Sequence, residues 1–119
     1  MMFKELEKKV LLWAAAKDLL SSDNKYQQYA KFQEESTEIL VAMNKDKIDE
    51  QAFIDSPLSE APVNQEIENE LKDAFGDTLV TLIILAAKYA LGLEECLELA
   101  YNEIKDRTGK TVGGTFIKD

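Results

Sequence analysis

Apolar positions along this chain recur mostly at steps of three and four, the period of an amphipathic helix. Phe3, Leu6, Val10, Trp13 and Lys17 follow that step and predict a helix over about 2–20. Ser21-Ser22-Asp23-Asn24 supplies a loop rich in N-cap residues. A second helix is expected from about 24 to 44, with Tyr29, Phe32, Ile39, Leu40 and Met43 as its apolar stripe. Residues 45–53 have room for a short extra turn or helix, and Pro57 to Pro62 mark a surface connection. A long helix follows over about 64–90. Gly92 stands where a C-terminal cap would sit, and a last helix covers about 93–106. Beyond it lies a Gly-rich tail, about 108–119, expected to close over a site or a neighbouring subunit with Phe116 as its anchor. No Gly-Lys-Ser/Thr opens a helix there, so Gly109, Gly113 and Gly114 do not make a phosphate loop. The pattern predicts an all-α, four-helix, single-domain fold over 1–119. Acidic stripes on such helices call for partners, so an oligomer is expected.

Composition agrees with that architecture. The chain has 119 residues, 45% hydrophobic, with only five Gly and two Pro, a globular mix with few strand-like runs. A net charge of -9 disfavours nucleic acid and anionic membranes as partners. It leaves room for a small phosphorylated ligand carried with a divalent cation. The apolar stretch Val10–Ala16 has Glu5 and Glu7 before it and Lys17-Asp18 after it, unlike a secretory leader. Thr78–Leu91, broken by Lys88, is too short to span a bilayer. Cys96 is the sole cysteine, at an apolar helical position that suggests a buried structural thiol. With no disulfide available, a cytoplasmic location is expected.

Two acidic clusters stand out. Glu34-Glu35-Ser36-Thr37-Glu38 lies in the second helix, and Glu70, Asp73 and Asp77 lie in the long one. At 100° per residue the latter three share one face, in line with Val80, Thr81 and Ile84. Glu35 and Glu38 share a face with Gln28 and Lys31 and flank Phe32 and Ile39. The acids therefore sit beside the apolar stripes, where a merely solvated acidic face would lie opposite them. Brought together, the clusters would take up protons or bind hard cations, and oxygen-only ligands favour Mg²⁺, Mn²⁺ or Ca²⁺. The competing reading is ordinary surface acids on an acidic protein. No EF-hand loop is present, so calcium sensing is not expected.

The chain has no histidine. A Ser-His-Asp triad, a Cys-His pair, a Glu-x-x-His di-iron site and the usual zinc sites are all excluded. Any hydrolysis must rely on a metal-activated water or on a carboxylate as general base.

These residues resemble the all-α nucleoside triphosphate pyrophosphohydrolases of the MazG-like superfamily, in the phage and bacterial branch near phosphoribosyl-ATP pyrophosphohydrolase. That family carries Glu-x-x-Glu on one helix and Glu-x-x-Asp on a later one. Glu35-Ser36-Thr37-Glu38, preceded by Glu34, matches the first, and Glu70-Leu71-Lys72-Asp73 matches the second. Aligning instead on Gly76-Asp77-Thr78-Leu79-Val80 puts Asp77 at the family's Asp and Ala74 where a Glu is expected. Gln28-x-x-Lys31-x-x-Glu34-Glu35 matches the approach to the first motif, and Asn102-Glu103-Ile104-Lys105 looks like the Asn-x-x-Lys segment that faces the nucleotide.

The resemblance implies a four-helix MazG-like bundle completed by oligomerisation, as a homodimer or homotetramer. It implies cleavage of NTP or dNTP between the α- and β-phosphates with Mg²⁺, or Mn²⁺ as a substitute. Glu35, Glu38, Asp73 and Asp77, with Glu70, would hold the metal. One of Glu34, Glu35 or Glu38 would be the base. Lys31, Lys105, Arg107 and Lys110 could take phosphate oxygens, with Gln28 and Asn102 at the nucleotide. Trp13 could stack on a base or belong to the core. The alternatives are a non-catalytic helical module that binds a nucleotide or a protein, and a phosphoribosyl-ATP pyrophosphohydrolase proper, which this acidic chain disfavours.

Overall fold

A computed structural model describes residues 1–55 and 65–119, with side chains described for 1–46 and 65–119. Four helices and one hairpin make up the described residues: α1 (Phe3–Ala16), α2 (Lys25–Asp55), α3 (Gln65–Ala87), α4 (Leu93–Ile104), β1 (Gly109–Val112) and β2 (Thr115–Lys118). The helical prediction therefore holds in outline. Residues 45–53 form no separate element, because α2 runs on unbroken to Asp55. The connection expected at Pro57–Pro62 lies outside the described residues.

The all-α expectation holds as a mostly helical fold, and the tail adds one small antiparallel hairpin to it. Gly113 and Gly114 both take left-handed backbone, with φ of 59° and 81°, the conformation a two-residue hairpin turn requires. The strands pair antiparallel in the register Gly109↔Lys118 to Val112↔Thr115. Gly109 is needed for a different reason. A Cβ there would collide with the Ile117 carbonyl oxygen and come 2.7 Å from the Phe116 ring. The glycines of the tail thus specify a turn and a close crossing.

Helix α3 is the centre of the fold. It packs along α2 over most of its described length, takes α1 on another side and touches α4 only lightly. The buried positions are Ala14, Ala42, Ile67, Ala74, Ile83 and Ile84, with Gln28, Thr78 and Thr81. Gln28 and Ala42 bracket Glu35 at steps of seven on α2, and Ile67, Ala74 and Thr81 repeat at seven on α3. A seven-residue repeat keeps one seam facing its partner as two helices run together. Alanines at Ala42 and Ala74 let the backbones approach. The hydroxyls of Thr78 and Thr81 are satisfied within α3, donating to Ala74 O at 2.8 Å and Thr78 O at 2.6 Å.

Two predicted stripes are displaced. On α2, Tyr29, Leu40 and Met43 are exposed, while Phe32 and Ile39 are half-buried. On α1, Phe3, Leu6 and Trp13 are exposed, and the inward face runs through Glu7, Val10, Leu11 and Ala14. Size explains the shift. Small or polar residues occupy the tight helix crossings, and the large apolar residues are left at their edges.

The helix ends also differ from expectation. Helix α1 stops at Ala16, and Asp18 takes left-handed backbone as Leu19 N–H returns to Ala14 O at 2.9 Å. Helix α3 ends in the same way, with Ala90 left-handed and Leu91 N–H bonded to Ala86 O at 3.0 Å. Gly92 is instead the N-cap of α4. Asn24 precedes α2 but does not cap it, since its Oδ1 is buried without a hydrogen-bond partner among the described residues. Lys88 Nζ ties the end of α3 to the α1–α2 loop by donating to the carbonyls of Leu20 and Ser22. Glu7 Oε2 accepts the Leu93 N–H at 3.3 Å, linking α1 to the start of α4. Among the described residues, no helix is long and apolar enough to cross a membrane.

Left-handed backbone is strained at alanine and free of strain at glycine. Ala90→Gly should therefore raise unfolding stability by roughly 0.5–1 kcal/mol. Urea denaturation followed by circular dichroism measures the change, and a loss of stability would refute the assignment of this cap.

Candidate functional site

The α2–α3 seam brings the two acidic motifs to one place. A cavity of about 210 Å³ is lined by Glu35, Glu38, Val41, Ala42, Lys45, Glu70, Asp73, Ala74 and Asp77. The small side chains of Ala42 and Ala74 leave space between the helices, and the acids one turn to either side fill its rim. Both readings of the second motif are accommodated at once, because Glu70, Asp73 and Asp77 all line the cavity. Glu34 does not, being exposed and lining neither this cavity nor the next.

A second cavity of about 450 Å³ adjoins the first. Its walls are Trp13, Leu19, Gln27, Gln28, Lys31, Glu35, Asp77, Val80, Thr81 and Ile84. Glu35 and Asp77 belong to both cavities and form their boundary. The second cavity falls in the size range of small-molecule sites, about 300–1,000 Å³. Trp13 lies on its wall and is 51% exposed, so it is not a core residue. Helix α1 reaches this site by packing on α3, which delivers Trp13 opposite Gln28 and Lys31.

Lysines neutralise part of the charge. Lys31 Nζ lies 3.3 Å from Glu34 and 3.2 Å from Glu35, and Lys45 Nζ lies 2.9 Å from Glu70. Both lysines are held above their ordinary pKa, Lys31 chiefly by its hydrogen bond to Glu35 and Lys45 chiefly by its hydrogen bond to Glu70. Both are exposed, so the pairs are screened by water. Glu38, Asp73 and Asp77 have no ion pair among the described residues. Asp77 carries the consequence. Partial loss of hydration raises its pKa first, the charges of Asp73 and Glu35 raise it further, and Lys31 opposes them.

Lys45 was not foreseen from the sequence. It is seven residues beyond Glu38, and that spacing on a single long helix would have placed it at the seam. The expected break near residue 45 hid it. Asn102 and Lys105 line neither cavity and are exposed on and just beyond α4. Cys96 is half-buried, not buried, and faces a different groove.

The donor set suits a hard divalent cation, because every unpaired group is a carboxylate. Among the described residues, however, no three acidic or thiol groups are already drawn together to hold one ion. The arrangement can concentrate cations at the rim of a cavity with an aromatic, an amide and a lysine beside it. No family model, characterised protein or solved structure matches the chain.

The raised pKa of Asp77 sets a stability dependence on pH. A carboxyl raised in the folded state contributes stability fully below its unfolded pKa and loses it as pH rises through the folded value. Asp77→Asn should therefore be more stable than the parent at pH 7 without divalent metal, and that advantage should shrink below pH 4. Urea unfolding at both pH values in a chelator tests this, and a parent more stable than the variant at pH 7 would contradict it.

Proposed function

We propose that this chain hydrolyses nucleoside triphosphates, NTP or dNTP, to nucleoside monophosphate and pyrophosphate, with Mg²⁺ as cofactor and Mn²⁺ as a substitute. One observation carries the reading. An acidic cavity built from both sequence motifs shares the walls Glu35 and Asp77 with a larger cavity that holds Trp13, Gln28 and Lys31. A triphosphate needs cations along its phosphates and a flat apolar surface for its base, and the two cavities offer these side by side.

Glu35, Glu38, Asp73 and Asp77, with Glu70 beside them, would hold Mg²⁺, which when bound offsets the phosphate charge and acidifies the attacking water. The chain's own groups supply the rest. Lys31 lines the larger cavity and pairs with Glu35 at the boundary, suited to a phosphate oxygen once it leaves Glu34 and Glu35. Trp13 offers a stacking face and Gln28 a hydrogen-bonding amide to the base or sugar. A glutamate takes the proton of the attacking water. Of Glu34, Glu35 and Glu38, Glu35 is the best placed, because it alone lines both cavities. The likeness to MazG-like enzymes, the assembly of the bundle as a homodimer or homotetramer and the cytoplasmic setting belong to the same proposal.

A second reading has its own support. Lys31 and Lys45 already answer three of the six acids, and no ligand set is drawn together. A non-catalytic helical module would look like this too.

Incubation with a panel of NTPs and dNTPs and Mg²⁺ should release pyrophosphate, and Glu38→Ala should lower kcat/KM by about 100-fold or more with the helix content unchanged. Metal that binds only the folded state should also raise the melting temperature at millimolar Mg²⁺. Release of orthophosphate would discard the pyrophosphohydrolase, and no turnover with no shift in melting temperature would favour the module.

A further inference from the structure

We infer that the C-terminal hairpin of one copy docks in the apolar groove between α1, α3 and α4 of a second copy. The groove, about 710 Å³, is lined by Met2, Phe3, Lys4, Leu79, Leu93, Glu94, Cys96 and Leu97. Apart from the Lys4–Glu94 pair at 3.4 Å, these side chains are apolar or a thiol. An apolar groove of that size on a soluble surface calls for a cover.

The hairpin is the element in need of a support. A lone two-stranded hairpin is marginally stable in water. Every residue of β1 and β2 is exposed, and none lines the groove of its own chain. Val112, Phe116 and Ile117 are 51%, 49% and 53% exposed. They match the groove in kind.

Charge selects a second copy as the partner. Lys105, Arg107, Lys110 and Lys118 against Asp106 and Asp119 give residues 105–119 a net side-chain charge of +2, whereas the whole chain carries -9. These four cations make no ion pair among the described residues. The groove is edged by α4, which presents Glu94, Glu95 and Glu98 to solvent. A basic, apolar arm and an acidic-edged, apolar groove on one chain complement each other between two copies. Reciprocal exchange closes a two-fold dimer and leaves neither surface open. This docking does not depend on the hydrolase reading.

Cys96 is the only thiol and lies in the groove, so it reports on the cover directly. Maleimide labelling of Cys96 in the full chain should slow at least about tenfold as protein concentration rises through the dimer range. Phe116→Asp should abolish that dependence and sediment as a smaller species. The double variant R107E/K110E, which leaves the hairpin's apolar residues in place, should do the same at low salt. Labelling that is independent of concentration in the parent would overturn the docking. Protection that persists in both variants would overturn it too, since another surface would then be covering the groove.

Discussion

The fold and its candidate chemistry both depend on the α2–α3 seam. Two long helices run together with residues at sevenfold spacing facing one another: Gln28, Glu35 and Ala42 across from Ile67, Ala74 and Thr81. Alanines on both sides let the helices approach and also leave the space that the carboxylates surround. Close packing and charge crowding are therefore not separate features. The same small residues permit both, and the lost hydration of Asp77, with the repulsion from Asp73 and Glu35, is what the seam costs in order to hold its acids together.

The rest of the structure leans on that seam thinly. Of the six buried apolar residues among those described, three are alanines, which contribute little apolar area each. Large apolar side chains such as Leu40, Met43, Leu97 and Leu99 stay more than half exposed. Outside the seam α1 packs on α3, and polar ties include Lys88 to the α1–α2 loop, Glu7 to the start of α4 and the Lys4–Glu94 pair.

Much of the site could be read from residue spacing. Steps of three and four along α2 and α3 put the acids on the faces beside the apolar stripes, and those faces meet. Helical periodicity fixes such relations within one element without reference to anything else. Lys45 escaped notice because its membership of the seam depended on α2 continuing, and only packing against α3 decides that. Trp13 posed the opposite problem. Its place in an apolar stripe favoured the core over the site, and the packing of α1 on α3 puts it on a cavity wall instead.

Residue spacing and composition alone set the helical class, the absence of histidine chemistry and the helix face on which each acidic motif lies. These follow from composition and local period, which neighbouring residues suffice to set. Packing between the elements set the rest: which side of each stripe is buried, which lysines answer which acids and how the glycines are used. Those outcomes depend on side-chain size at helix crossings and on contacts between residues far apart in the chain. The acids of α2 had no determinate role until α3 lay against them, and the glycine-rich tail had no form until Phe116 crossed Gly109.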